Sequence, residues 1–318
     1  MNALSSLRIV FMGTPAFAVH ILKGMLEQGC QVVGVITVPD KPAGRGQKLR
    51  QSEVKQFALT KGLKILQPNN LKSPDFISEL TGLKPDLQVV VAFRMLPKQV
   101  WQLPNKGTFN LHASLLPHYR GAAPINWAII HGETETGVTT FFIDEHIDTG
   151  AIILQSKVAI DSKDTAGTLH DKLMHSGSEL VLKTIDLIAK DLVTTTVQKT
   201  TRSLKSAHKL NKDNCRVDWH KSGKMIGNHI RGLTPYPGAW GLLLNGENSY
   251  NVKIYSVEFK VQGHSLSCGD IVVDKTSLKV AVKDGFVTLL EFKFPGKKQM
   301  NSKSFLNGFK FESNAKMV

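Results

Sequence analysis

The segment Phe109-Asn110-Leu111-His112-Ala113-Ser114-Leu115-Leu116-Pro117-His118-Tyr119-Arg120-Gly121 carries the residue types best suited to chemistry. If it leaves the core as a strand, Asn110 and His112, two positions apart, point to one face and set an amide donor beside an imidazole. Downstream, Asp144-Glu145-His146-Ile147-Asp148-Thr149-Gly150 follows another strand-like run and brings carboxylates on a loop. Together they suit acyl transfer to an amine. Attack on a carbonyl loads negative charge onto its oxygen, which donors from Asn110 and His112 stabilise, while Asp148 orients the imidazole and assists proton movement. No serine or cysteine nucleophile is then required. Spacing alone leaves a bland alternative open, in which His112 satisfies a buried strand end and Asp148 is a turn residue.

Positioning these side chains falls to an α/β pattern. Short β-branched runs at 7–12, 31–38, 63–66, 87–93, 109–113 and 138–143 alternate with helical patterns at 15–28, 52–61 and 74–80, Pro15 and Pro74 standing at first-turn positions. The pattern predicts βαβ units and a Rossmann-like domain with a mostly parallel sheet, whose strand-end loops are where ligands bind. A longer helix is expected from 164 or 165 to about 190, with Leu169, Leu173, Leu180, Val181, Ile185 and Ile188 at helical spacing. Near Thr194 the chain turns polar and basic, which reads as a linker crossing the surface. Beyond it, one helix at 225–231 and short strands at 239–244, 252–261, 268–273, 278–282 and 287–294 predict a small C-terminal β-barrel. The expected domains are 1–193, a linker at 194–212, and 213–318.

At 318 residues the chain is long enough for two domains, and 42% hydrophobic with 21% charged residues excludes disordered and low-complexity classes. Charge is the unusual quantity. Residues 1–200 hold 21 basic and 17 acidic side chains, whereas 201–318 hold 19 and 9; within 41–72 there are eight basic residues against Glu53 alone. Two basic regions flank a slightly acidic centre, which fits a polyanion gripped at the periphery, although a basic soluble surface reads the same way. Cys30, Cys215 and Cys268 lie far apart with no paired motif, so a reducing, cytoplasmic setting is expected, and no signal or membrane segment is read. Gly13-Thr14-Pro15 and Gly44-Arg45-Gly46-Gln47-Lys48 fail the dinucleotide and P-loop patterns, and the histidines lack zinc spacing, so no metal is expected.

FNLHASLLPHYRGAAPINWAI closely resembles the N-x-H-x-S-L-L-P-x-[YW]-R-G-A-x-P-I block of folate-dependent formyltransferases, and the IDTG run matches their second loop. The resemblance continues through IVFMGTPAFA, VPDKPAGRGQKL, AHKLNKDNCRVDW, IRGLTPYPGAW and PGKKQM, in order along nearly the whole chain. It implies that Asn110, His112 and Asp148 form the catalytic trio and that Ser114, Leu115, Leu116 and Pro117 line the site of 10-formyltetrahydrofolate, the formyl donor. The acceptor it implies is the amine of methionyl initiator tRNA. The basic loop at 38–50, with Arg45 at the matching arginine and Lys48 beside it, would reach the acceptor end, and an OB-fold-like barrel with Lys209 and Lys212 of the linker would hold the tRNA backbone. Family resemblance also leans towards a monomer. The rival readings are a sugar-nucleotide or glycinamide-nucleotide N-formyltransferase, a formyl-folate hydrolase, and a noncatalytic tRNA-binding protein of the same fold. Two positions depart from the family pattern: Arg94 stands where glycine is usual, and so does His146, where a different backbone is expected if that glycine takes positive φ.

Overall fold

The computed structural model describes residues 3–43, 48–199 and 203–318. The first half runs β1 (Arg8–Gly13), α1 (Ala16–Glu27), β2 (Gln31–Ile36), β3 (Lys41–Ala43), β4 (Lys48–Arg50), α2 (Glu53–Thr60), β5 (Ile65–Leu66), α3 (Pro74–Gly82), β6 (Leu87–Val91), α4 (Lys98–Trp101), β7 (Thr108–His112), β8 (Arg120–Gly121), α5 (Pro124–Ile130), β9 (Glu135–Phe142), β10 (Ile152–Ala159) and α6 (Ala166–Ala189). There follow β11 (Ser206–Ala207), α7 (Gly223–Leu233), β12 (Ala239–Asn245), β13 (Asn248–Val261), β14 (Ile271–Val273), β15 (Leu278–Val282), β16 (Gly285–Lys293), β17 (Gln299–Asn301), α8 (Ser302–Leu306) and β18 (Lys316–Met317). Two compact units result: one of residues 1–121, 136–158 and 170–206, the other of 122–135, 159–169 and 207–318.

The first unit is an α/β, Rossmann-like fold around a seven-stranded sheet ordered β10-β9-β7-β6-β1-β2-β5. β1 pairs in parallel with β2 and β6, β2 with β5, and β6 with β7, whereas β7 and β9 run antiparallel. Central strands must be apolar on both faces. Val10 and Met12 of β1 accordingly pack with Phe76 and Leu80 of α3 and with Val90 of β6, while Ile9 and Phe11, on the opposite face, are fully buried as well. Each such side chain contributes about 2 kcal/mol of burial, enough to hold the β6 and β7 ends in place. All six apolar positions read along 169–188 are buried on α6.

In the second unit a seven-stranded sheet ordered β14-β15-β16-β13-β12-β18, with β17 on β16, curls into a nearly closed barrel-like form. Its edges meet at a seam, where Met317 N donates to Gly269 O at 2.8 Å and Asp270 bridges Lys316. Gly269 has φ +93°, and a Cβ there would come 2.2 Å from Met317 O, so a side chain would wedge the seam apart. Leu243, Val252, Val280, Leu289, Phe292 and Phe305 fill the interior. α5 packs on α7 in this unit: Asn126 Nδ2 donates to Gly232 O at 2.8 Å, and Gly232 admits Ile130.

Candidate active site

β7 alternates as its sequence requires. Leu111 turns towards α6, where Gly177 leaves room for it, and Asn110 and His112 share the other face. Asn110 is half-buried and His112 only 7% exposed. The imidazole sits between two oxygens: His112 Nε2 is 2.8 Å from Tyr119 O, and Nδ1 is 3.7 Å from Asp148 Oδ2. Because a carbonyl only accepts, Nε2 carries the hydrogen, and Nδ1 is the nitrogen that faces Asp148.

The Asp148 side chain is 15% exposed and accepts from Gly121 N at 2.9 Å. Its backbone is left-handed, with φ 55°, a conformation aspartate tolerates better than most residues. Asp144 ties the loop before it, accepting from His146 N at 3.0 Å and Thr149 Oγ1 at 2.7 Å. Gly150 closes it, since a Cβ there would meet Phe142 O at 1.7 Å. His146 is not among the described residues with positive φ.

Sequence reasoning missed Gln198. This side chain, in the stretch read as a surface linker, is only 8% exposed: its amide donates to Asp148 O at 3.0 Å and Gly150 O at 2.8 Å. Its carbonyl accepts from Arg120 Nη2 at 2.6 Å and Nε at 3.1 Å. Gln198 thus locks the Asp148 loop to the segment following His112. A single glutamine among threonines and lysines carries no periodic signal that would have marked it.

The segment after β7 is held as firmly. Ser114 is fully buried; its hydroxyl donates to His118 O at 2.7 Å and its carbonyl accepts from Thr139 Oγ1 at 2.6 Å. Leu116 is buried, Leu115 packs over Gly137, and Pro117, after a cis peptide bond, is half-buried. Arg94, after β6, donates to Pro68 O and, at 3.1 Å, to Asn69 O, bracing that loop; burial pushes its guanidinium below its ordinary range. Lys98 and Glu145, 2.7 Å apart, join the loops that carry the exposed Met95 and Ile147.

Of the expected tRNA contacts, Arg45 lies outside the described residues, and Lys48 is described only in its backbone, paired with Ala43 in the β3–β4 hairpin. The hairpin's root is anchored: Asp40 accepts from Lys55 Nζ at 2.6 Å and Gln67 Nε2 at 2.8 Å, contacts that hold its carboxyl below the usual range. Lys209 and Lys212 are exposed in the second unit, and Lys212 Nζ lies 5.4 Å from the Trp240 ring centroid. Among the described residues no group of three or more His, Cys, Asp or Glu could hold a metal, and no helix is long and apolar enough to cross a membrane.

The model of the Formyl transferase family matches residues 7–185, and that of the Formyl transferase, C-terminal domain, matches 209–310. A methionyl-tRNA formyltransferase of Flavobacterium johnsoniae is 54% identical over 99% of this chain and 100% of its own, and one of Bacteroides thetaiotaomicron is 51% identical over 98% of each. The chain belongs to the methionyl-tRNA formyltransferase family. It is thus an enzyme of the formyltransferase fold, which extends further: WlaRD, a sugar 3N-formyl transferase crystallised with dTDP and 5-N-formyl-THF, superposes with a TM-score of 0.64 at 23% identity, covering 92% of this chain and 99% of its own. For this family member, the trio Asn110, His112 and Asp148 stands at one place in the first unit, at the end of β7 and in the loop that Gln198 clamps.

Proposed function

We propose that the chain transfers the formyl group of 10-formyltetrahydrofolate to the α-amino group of methionyl initiator tRNA, giving the formylated aminoacyl-tRNA that starts translation, and that it works as a cytoplasmic monomer. The observation that carries the chemistry is the buried His112, whose Nδ1 lies 3.7 Å from Asp148 beside Asn110. The folate supplies the formyl carbonyl. Asn110 donates its amide hydrogen to the oxygen as negative charge develops there. As the amine nitrogen bonds to the formyl carbon, His112 Nδ1 takes the proton the amine gives up; it returns that proton to the folate nitrogen when the original C–N bond breaks and tetrahydrofolate leaves, Asp148 stabilising the imidazolium in between. Gln198 acts through Asp148 by fixing its backbone, and so is a positioning residue.

The residues present fit a folate. Met95 and Ile147, 68% and 62% exposed, offer apolar flanks to a flat heteroaromatic ring, and the segment Ser114–Pro117 presents a backbone already fixed by internal bonds. The same proposal assigns folate chemistry to 1–193, tRNA grip to the OB-fold-like 213–318 and the joining role to 194–212, with Arg45, Lys48, Lys209 and Lys212 meeting phosphates. The test is formylation of methionyl initiator tRNA, methionyl elongator tRNA and a panel of amino-sugar nucleotides, with 10-formyltetrahydrofolate as donor. Product on the initiator alone is expected. Product on a sugar nucleotide instead would retain the trio and refute the acceptor, and tight tRNA binding without any product would refute the enzyme reading.

A further inference from the structure

One motif singled out in the sequence has no role in the site just described. IRGLTPYPGAW ends α7, turns, and enters β12 in the second unit. Among the described residues Tyr236 is the one aromatic side chain that stands clear of the surface, and at 82% it is the most exposed of all the large apolar ones. A ring so open contributes little to the core, yet its backbone is tightly determined. Pro235 and Pro237 preset φ on either side. Thr234 Oγ1 lies 2.9 Å from both Ile230 O and Tyr255 O, Gly238 N donates to Leu233 O at 2.9 Å, and Lys253 Nζ donates to Pro237 O at 2.7 Å. Little conformational freedom is left to lose when something lands on the ring.

The charges beside it indicate what that is. Lys253 is the cross-strand partner of Trp240 on β12 and of Lys293 on β16, so the three side chains form one row on one face of the sheet. At the Trp240 end, Lys212 Nζ and the Arg216 guanidinium lie 5.4 and 5.5 Å from the indole centroid, and Trp240 Nε1 donates to Lys212 O at 2.7 Å. Lys253, in the middle of this row, bonds the carbonyl of the residue next to Tyr236, and cations beside an open aromatic ring are the arrangement that grips unpaired nucleic acid, phosphates meeting the charges and a base stacking on the ring. Residues 201–318 carry 19 basic and 9 acidic side chains, so the whole region favours a polyanion over an ordinary protein surface.

We propose that Tyr236 is a stacking platform for an unpaired nucleobase at the 3′ end of the tRNA substrate, with Lys253 and Lys293 holding the adjoining backbone. This rests on the tRNA reading above and adds to it a specific ring and a specific part of the RNA. The experiment measures Kd of the full chain for initiator tRNA, intact and trimmed of its unpaired 3′ nucleotides, in the wild type, Tyr236→Ala and Tyr236→Phe. Tyr236→Ala is expected to weaken binding of intact tRNA by roughly tenfold, in the range of one lost base stack, while its affinity for trimmed tRNA equals that of the wild type. Tyr236→Phe keeps the ring and binds intact tRNA as the wild type does. Thermal melting checks that the variants fold, and the Phe variant guards against a merely structural loss. Equal affinity of the Ala variant and wild type for intact tRNA overturns the assignment and leaves the ring to a protein partner, and equal weakening for intact and trimmed tRNA overturns the base contact. A wild type that binds neither tRNA overturns the reading beneath it.

Discussion

The end of β7 and the Trp240 row of the second unit solve opposite problems. Around β7 the polar groups lie inside the protein and are already engaged there: His112 with Tyr119, Ser114 with His118 and Thr139, Gln198 with Asp148 and Gly150. Along the row, Lys253 and Lys293 stand in water over a barrel filled by Phe292, Leu289 and Val252. Stabilising charge on one oxygen requires donors fixed before the substrate arrives, because reorganisation would cost what they contribute. Phosphates spread over an RNA need only charge in reach, and each contact displaces counterions whether or not it is rigid. On the proposed reading, polar donors are fixed inside the protein where a bond changes, and charge is spread over an exposed face where a polymer is held.

Substitutions at the two regions should therefore differ in size and in kind. The largest effect is expected at the trio: Asn110→Ala or His112→Ala lowers kcat by ~100-fold or more with circular dichroism unchanged, and near-normal turnover in both would erase the distinction. Asp148→Asn, which suits the left-handed backbone equally well, isolates the carboxylate's charge in the same assay. Next, Gln198→Leu leaves two loop carbonyls and Arg120 without their partner; urea unfolding should show a loss of about 1–3 kcal/mol, and kcat should fall while the salt dependence of tRNA binding stays as it was. In the row, Lys212→Ala and Arg216→Ala should each reduce the slope of log affinity against log salt by about 1, with folate affinity unaltered; an unchanged slope would remove them from the phosphate contacts. The smallest effect concerns His229 on α7, which burial holds below the ordinary histidine range against hydrogen bonds with Cys215 and Arg216. The unfolded chain accepts a proton there before the folded one does, so the second unit should lose stability as pH falls from the ordinary histidine value to the depressed folded one. Thermal melting across that window checks this, and His229→Gln should flatten the response.

What could be read in advance follows how strongly each element's environment marks its residues. β1 and β6 are buried on both faces and show through the short apolar runs IVFM and VVV, and β7 through Phe109 and Leu111 alternating with polar residues; α6 shows because its six apolar positions repeat at helical spacing. β10 escaped notice, since at the sheet edge it alternates half-buried and exposed residues, IILQSKVA, without a long apolar signal. α5 escaped for the opposite reason: PINWAII is apolar nearly throughout and gives no period. Asn110, His112 and Asp148 stood out by residue type and spacing, but Gln198 and the Arg94 brace depend on which carbonyls arrive beside them, and that is decided by tertiary folding.

The composition of the second unit also sets an order in time. α5 ends at Ile130, but α7, the helix on which it packs, begins only at Gly223, and the seam strand Lys316–Met317 comes later still. At a synthesis rate of roughly 5–20 residues per second, the apolar face of α5 waits on the order of 5–20 seconds for its partner to leave the ribosome. The β-strands around His112 are all made in that interval or before it, so the sheet of the first unit can assemble while the barrel is still being translated. A nascent chain of this protein thus carries a period of exposed helix that a chaperone, or a pause in elongation, is in a position to govern.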